Sequence, residues 1–182
     1  SHPPGHVHPD CALSINLSAT NLEHEDVIDG LVARCVDLGV PPGHVILELT
    51  ETSAMTDALS SLGLLTRLRV RGFQLSIDDF GTGYSSMSQL ARLPFSEIKV
   101  DKSFVMAVTS SREARAVVKS VVDLGRTMGM TTTAEGVEDE ATLDYLRDID
   151  CELAQGYLFC RPLPGPDIEA WLDGFRSPND PA

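Results

Sequence analysis

The chain has 182 residues, of which 42% are hydrophobic and 23% charged, and its formal net charge is -13. That is enough for one domain with a sizeable core, and such acidity argues against a DNA or RNA polymer or an anionic membrane as partner. No stretch approaches the roughly 20 apolar residues of a membrane span, and Cys11, Cys35, Cys151 and Cys160 form neither a Cys-x-x-Cys pair nor a zinc knuckle.

Residues 1–10, SHPPGHVHPD, have no apolar core and are not a secretory signal; they read as a disordered or vector-derived terminus, and His2, His6 and His8 are not counted as a metal site. Residues 12–17, ALSINL, predict a first strand with Asn16 and Ser18 at its end. A helix is expected over 23–38, with Val27, Leu31, Arg34, Cys35 and Leu38 on one face, Arg34 as its one polar member at the edge, and Gly39 as its stop. After the Pro41-Pro42-Gly43 loop, VILEL at 45–49 predicts a second strand, and 57–70 a helix with Leu62, Leu65 and Leu68 inward. A third strand over 73–78 is expected to end at Asp78 and Asp79 and to open into Gly81-Thr82-Gly83.

A short helix should then carry Met87, Leu90 and Leu93. EIKV at 97–100 predicts a fourth strand holding Lys99, and 111–128 a long helix with Ala114, Val117, Val118, Val121 and Leu124 inward, closed by Gly129. A threonine-rich strand over 130–134 closes on Glu135-Gly136, and a helix over 139–149 turns in Leu143, Leu146 and Ile149. A sixth strand lies at 153–156, and a last helix near Ile168, Trp171 and Leu172 precedes a polar tail at 176–182.

Strands and helices thus alternate six times without a linker, the pattern of a parallel sheet with crossover helices in one α/β domain. Barrels place their chemistry at the C-terminal ends of several strands, whereas open doubly wound sheets concentrate it at one switch point. Asn16, Glu48, Asp78, Asp79, Glu135 and Gln155 fall at successive strand ends, with Lys99 inside its strand, so a TIM-like (β/α) barrel ranks above an open sheet.

Converging strands would gather an amide oxygen and several carboxylates, hard ligands suited to Mg²⁺ or Mn²⁺. Crowded carboxylates repel one another unless cations separate them, and two adjacent ions would also suit an in-line phosphoryl displacement. Lys99 would add a cation at the rim, while Gly81 and Gly83 permit backbone angles other residues resist but make no Walker A loop. Each residue alone has a plainer reading. Asp79 fits a helix cap, Lys99 a surface cation, Asn16 with Ser18 a turn, Glu135-Gly136 a turn, and Phe80 and Tyr84 packing.

The motifs together resemble the EAL domain family of cyclic-di-GMP phosphodiesterases. Asn16-Leu17-Ser18, Glu48-Leu49-Thr50-Glu51, the run from Asp78-Asp79-Phe80-Gly81-Thr82-Gly83 to Tyr84-Ser85-Ser86, Ile98-Lys99-Val100-Asp101, Glu135-Gly136-Val137-Glu138 and Gln155-Gly156-Tyr157 occur in the family's order. The resemblance covers residues 11–175 and implies hydrolysis of cyclic-di-GMP to linear pGpG with Mg²⁺ or Mn²⁺, two ions being expected. It implies metal ligation by Asn16, Glu48, Asp78, Asp79 and Glu135, and catalytic roles for Lys99 and Glu135. Gln155 and Glu138 would bind substrate or support the site. Glu51, with Phe80, Gly81, Thr82 and Gly83, would steady a loop that couples metal binding to dimerisation.

The sequence lacks the Glu-Ala-Leu motif that names the family, and six strands are counted where a complete barrel has eight in about 250 residues. The expectation is therefore a truncated EAL domain over 11–175, of reduced or uncertain activity by itself. A cyclic-di-GMP receptor without catalysis, or an interaction scaffold, are the alternatives. A homodimer, and a sensory or diguanylate cyclase domain in the full-length protein, fit the family. The domain's expected location is the cytoplasm, with a membrane tether elsewhere in a full-length protein compatible with it.

Overall fold

The computed structural model describes residues 11–18, 21, 26–56, 58–83 and 87–174. The terminal histidines, the polar tail, residues 22–25 at the expected start of the first helix, and Tyr84, Ser85 and Ser86 lie outside them. Six parallel strands stand side by side in chain order: β1 (Leu13–Asn16), β2 (Val45–Thr50), β3 (Gln74–Phe80), β4 (Glu97–Val100), β5 (Thr131–Glu135) and β6 (Leu153–Gln155). The helices that connect and follow them are α1 (Asp26–Leu38), α2 (Glu51–Thr56), α3 (Ala58–Val70), α4 (Met87–Leu90), α5 (Lys102–Val105), α6 (Arg112–Met128), α7 (Glu140–Asp148) and α8 (Gly165–Gly174). The sheet is thus a half-barrel of the TIM type, with β1 and β6 as its edges among the described residues.

The two faces of the sheet differ in chemistry because side chains alternate along a strand. One face presents Val45, Leu47 and Leu49 of β2, Leu75 and Ile77 of β3, and Ile98 and Val100 of β4, all buried in a single core. Ile28 and Cys35 of α1, Leu65 and Leu68 of α3, Val118 and Val121 of α6, and Leu143 and Leu146 of α7 complete that core. Each fully buried leucine contributes about 1.5–3 kcal/mol through burial. The opposite face carries Asn16, Glu48, Ser76, Asp78, Glu97, Lys99, Thr133, Glu135 and Gln155, so the concave side of the half-barrel is polar.

Local signals fix the helix ends. Ser111 caps α6 by accepting from the Ala114 amide at 3.1 Å, and Gly129 closes it in the left-handed conformation at φ 68°. Asp139 caps α7 by accepting from the Thr142 amide at 2.7 Å.

Four expectations need correction. The buried face of α1 is set by Ile28 and Cys35, flanked by Leu31 and Val32, while Leu38 is exposed, because the helix turns its Ile28–Cys35 stripe to the sheet; Arg34, expected at the edge, is exposed. Met87 of α4 is also exposed, leaving Leu90 and Leu93 to pack inward. β3 does not stop at Asp78 but runs to Phe80, across a register shift against β4 between Ile77 and Phe80. Finally, α2 and α5 were not anticipated, being too short to show a helical period.

Candidate active site

Parallel pairing brings the site residues level with one another. Asn16 is the register partner of Glu48, Lys99 of Thr133, and Glu135 of Gln155. Lys99 is the hub. Its Nζ lies 2.8 Å from Glu48 Oε1, 2.6 Å from Glu135 Oε1 and 3.8 Å from Asp78 Oδ1, with Lys99 and Glu48 both buried. Burial alone would push the Lys99 ammonium down, but the hydrogen bonds to Glu135 and Glu48 and the charges of Glu135 and Asp78 hold it well above its ordinary value. Glu135 also moves up: its burial, with the charges of Asp78 and Glu48, outweighs the pull of Lys99.

One carboxylate oxygen from each of Asp78, Asp79 and Glu135 lies within 4.8 Å of the others. Such a set of hard oxygens around a common point fits a divalent cation. Burial, the Asp78 charge and a side-chain hydrogen bond with Asp101 raise the carboxyl of Asp79, the repulsion that a cation would relieve.

The backbone turns sharply here. Asp79 sits at φ 55°, in the left-handed region that aspartate tolerates better than most residues. Its amide donates to Asp78 Oδ1 at 3.0 Å, and its carbonyl accepts from Thr82 Oγ1 at 2.9 Å. This twist lets two sequential carboxylates serve one site from within a strand.

Glu51, the first residue of α2, is buried and holds the segment after β3. Its Oε2 accepts from the amides of Gly81 at 3.0 Å and Gly83 at 3.1 Å. A Cβ at position 83 would come within 2.6 Å of Glu51 Oε1, which explains glycine there. Phe80 is buried beneath this segment, and Thr82 is exposed above it.

The structure gathers Glu48, Asp78, Asp79, Lys99 and Glu135, and ties Glu51 to Gly81 and Gly83. Asn16 and Gln155 end the two edge strands and are exposed, as is Glu138 beyond β5. Two buried acids escaped the sequence reading. Asp101 caps α5, accepting from the Ser103 amide at 2.9 Å, and touches Asp79; the Asp-x-Ser run directly after a strand was its signal. Glu97 lies under Lys99 and accepts a hydrogen bond from the Thr133 hydroxyl.

These features define a TIM-barrel-like β/α domain with an acidic, lysine-centred site at the C-terminal ends of its strands. The chain belongs to the EAL domain family, whose profile matches residues 3–162. It is 41% identical over 163 residues to the bifunctional diguanylate cyclase/cyclic di-GMP phosphodiesterase MucR of Pseudomonas aeruginosa, covering 90% of this chain and 24% of that protein. The solved PaMucR phosphodiesterase in complex with c-di-GMP superposes with a TM-score of 0.85 at 41% identity, over 88% of this chain and 65% of that one. Klebsiella pneumoniae BlrP1, in a manganese/cy-diGMP complex, gives a TM-score of 0.78 at 39% identity, over 83% of this chain and 39% of that one. The chain therefore spans about a quarter of its curated relative MucR. No helix among the described residues is long and apolar enough to cross a membrane.

Proposed function

We propose that this chain is the catalytic part of a metal-dependent phosphodiesterase that hydrolyses cyclic-di-GMP to linear pGpG. The observation that carries the reading is Lys99 Nζ seated between Glu48, Glu135 and Asp78, beside the convergent oxygens of Asp78, Asp79 and Glu135. The names of MucR and its solved phosphodiesterase domain support the substrate. Asp78, Asp79 and Glu135, with Glu48 and Asn16, would hold Mg²⁺ or Mn²⁺, two ions in all. Bound there, the ions supply positive charge and Lewis acidity at the phosphoryl group.

The residues of the chain do the rest. A lysine ammonium has three N–H donors. Nζ lies within ion-pair distance of Glu48 Oε1 and Glu135 Oε1, which holds the ammonium at the edge of the acid cluster. Lys99 Nζ thereby orients the attacking water and faces the charge that develops on the phosphoryl oxygens. Glu135, whose carboxyl is raised, accepts a proton from that water. The new bond is water oxygen to phosphorus, the bond broken is phosphorus to the ribose 3′-oxygen, and that oxygen leaves as a hydroxyl with a proton from solvent water, to which Glu135 returns the one it accepted. Gln155 and Glu138 contact the substrate at the rim. Glu51 keeps Gly81 and Gly83 in place behind Asp79. A homodimer, and a diguanylate cyclase or sensory domain in the same polypeptide, are the proposed surroundings.

The test is incubation of the chain with cyclic-di-GMP in Mn²⁺ and in chelator, with pGpG followed by chromatography. A longer parent carrying the preceding part of the domain is run beside it. Metal-dependent pGpG from either supports the reading. Binding without product from both points to a receptor, and neither binding nor product to a scaffold.

A further inference from the structure

Beneath the Lys99 layer lies a second polar layer on the same three strands. Ser76, Glu97 and Thr133 each stand two residues before Asp78, Lys99 and Glu135 on β3, β4 and β5. All three are buried, Ser76 completely and Glu97 with 8% exposure. Ser76 and Glu97 are direct register partners. The Thr133 hydroxyl donates to Glu97 Oε1, which leaves Oε2. That Oε2 and the Ser76 Oγ are buried with no hydrogen-bond partner among the described residues. Lys99 directs its ion pairs up to Glu48, Asp78 and Glu135, and no cation pairs with Glu97 among the described residues.

A buried carboxylate oxygen and hydroxyl without partners are costly, and native interiors meet such needs with ordered water. We propose that Glu97 Oε2 and Ser76 Oγ share one buried water between β3 and β4, and that Glu97, acting through Thr133, is a positioning residue for the Lys99–Glu135 pair. The water donates one hydrogen to Oε2 and exchanges its second bond with the serine hydroxyl. The Glu97–Thr133 bond then ties β4 to β5 one layer below the place where Lys99 meets Glu135. Only the catalytic consequence of this arrangement rests on the phosphodiesterase reading.

Two measurements on the full chain test it. In a high-resolution crystal structure, a water is expected within about 3.2 Å of both Glu97 Oε2 and Ser76 Oγ. Direct contact between the two atoms, an ion in that place, or no density overturns the shared water. The second measurement is proton exchange of the Lys99 ammonium by NMR. Glu97→Leu is expected to speed it about tenfold, and Glu97→Gln, which still accepts from Thr133, by less than about threefold. The amides of Leu47 and Val118 should keep their rates, which a general loss of structure would not allow. Equal exchange in the unaltered and Glu97→Leu chains overturns the positioning role. If Glu97→Leu does not fold, Ser76→Ala takes its place, with loss of the water and faster Lys99 exchange expected and no change in either overturning. Failure of cyclic-di-GMP hydrolysis in the unaltered chain counts against the phosphodiesterase reading and leaves both measurements decisive.

Discussion

Lys99 Nζ stands 2.6 Å from Glu135 Oε1, joining the middle of β4 to the end of β5. The same ammonium reaches Glu48 of β2 at 2.8 Å and Asp78 of β3 at 3.8 Å, so one side chain of β4 links four neighbouring strands, β2 to β5. Removing one partner of a buried ion pair leaves uncompensated charge and typically costs about 3–5 kcal/mol. Lys99→Met should therefore lower the unfolding free energy by about that amount in chelator, measured by urea titration, with Mn²⁺ restoring part of it. It should also abolish turnover while leaving Mn²⁺ affinity less affected. Collapse of metal affinity with rate retained would contradict the role given to Lys99.

Asp78 has a different signature. It belongs both to the metal-fitting set and to the surroundings of Lys99. Asp78→Ala should weaken Mn²⁺ binding at least about tenfold and thereby shrink the metal-induced rise in thermal midpoint. Titration calorimetry and thermal melts read the two effects separately. A variant with full rate at limiting Mn²⁺ would exclude Asp78 as a ligand.

Glu51 makes a claim about the loop. Its Oε2 holds the amides of Gly81 and Gly83, bonds from neutral donors to a buried carboxylate. Glu51→Ala frees both amides; Gly81 is half-buried and Gly83 exposed, so the cost falls below the about 1–3 kcal/mol of a fully buried unmet donor. Hydrogen exchange at Gly81 and Gly83 should rise sharply, with the amides of α6 unchanged. Gly83→Ala should give the same local pattern, since its methyl would press on Glu51 Oε1.

The pH dependence follows from the raised carboxyls of Glu135 and Asp79, whose ordinary values are 4.5 and 3.8. A carboxyl raised in the folded state holds its proton longer there than in the unfolded chain. Its contribution to stability is fully present below the ordinary value and is lost as pH rises through the folded one. In chelator, stability from these groups should decline as pH climbs from about 4, and Glu135→Gln or Asp79→Asn should flatten the slope. Lys99, raised above 10.5, contributes stability that is present below that value and lost only at more alkaline pH. Urea titrations across the acid range would show an opposite slope if Glu135 and Asp79 were instead stabilised as anions.

The strand order and the grouping of Glu48, Asp78, Asp79, Lys99 and Glu135 were legible because both rest on short-range signals. EIKV was placed to the residue, and the strand-end carboxylates stood out against apolar alternation. The end of β3 was not legible. Two aspartates and a glycine run read as a loop, whereas Asp79 continues the strand by adopting φ 55°. The α1 stripe was misread because Val27 and Ile28 are equally apolar neighbours, and only docking on the sheet decides between them. Glu97 gave no signal at all. A glutamate at the head of a strand looks exposed until Thr133, far along the chain, closes over it.

The acid layer also has a history within each molecule. The strands line up in the sheet in the order in which they leave the ribosome. Glu48 and then Asp78 emerge before Lys99, and Glu135 comes after it. The concave carboxylates of β2 and β3 meet their counter-charge only where β4 joins the sheet, and Glu135 of β5 adds the third carboxylate around it. One side chain thus makes the polar side of four neighbouring strands a single electrostatic unit.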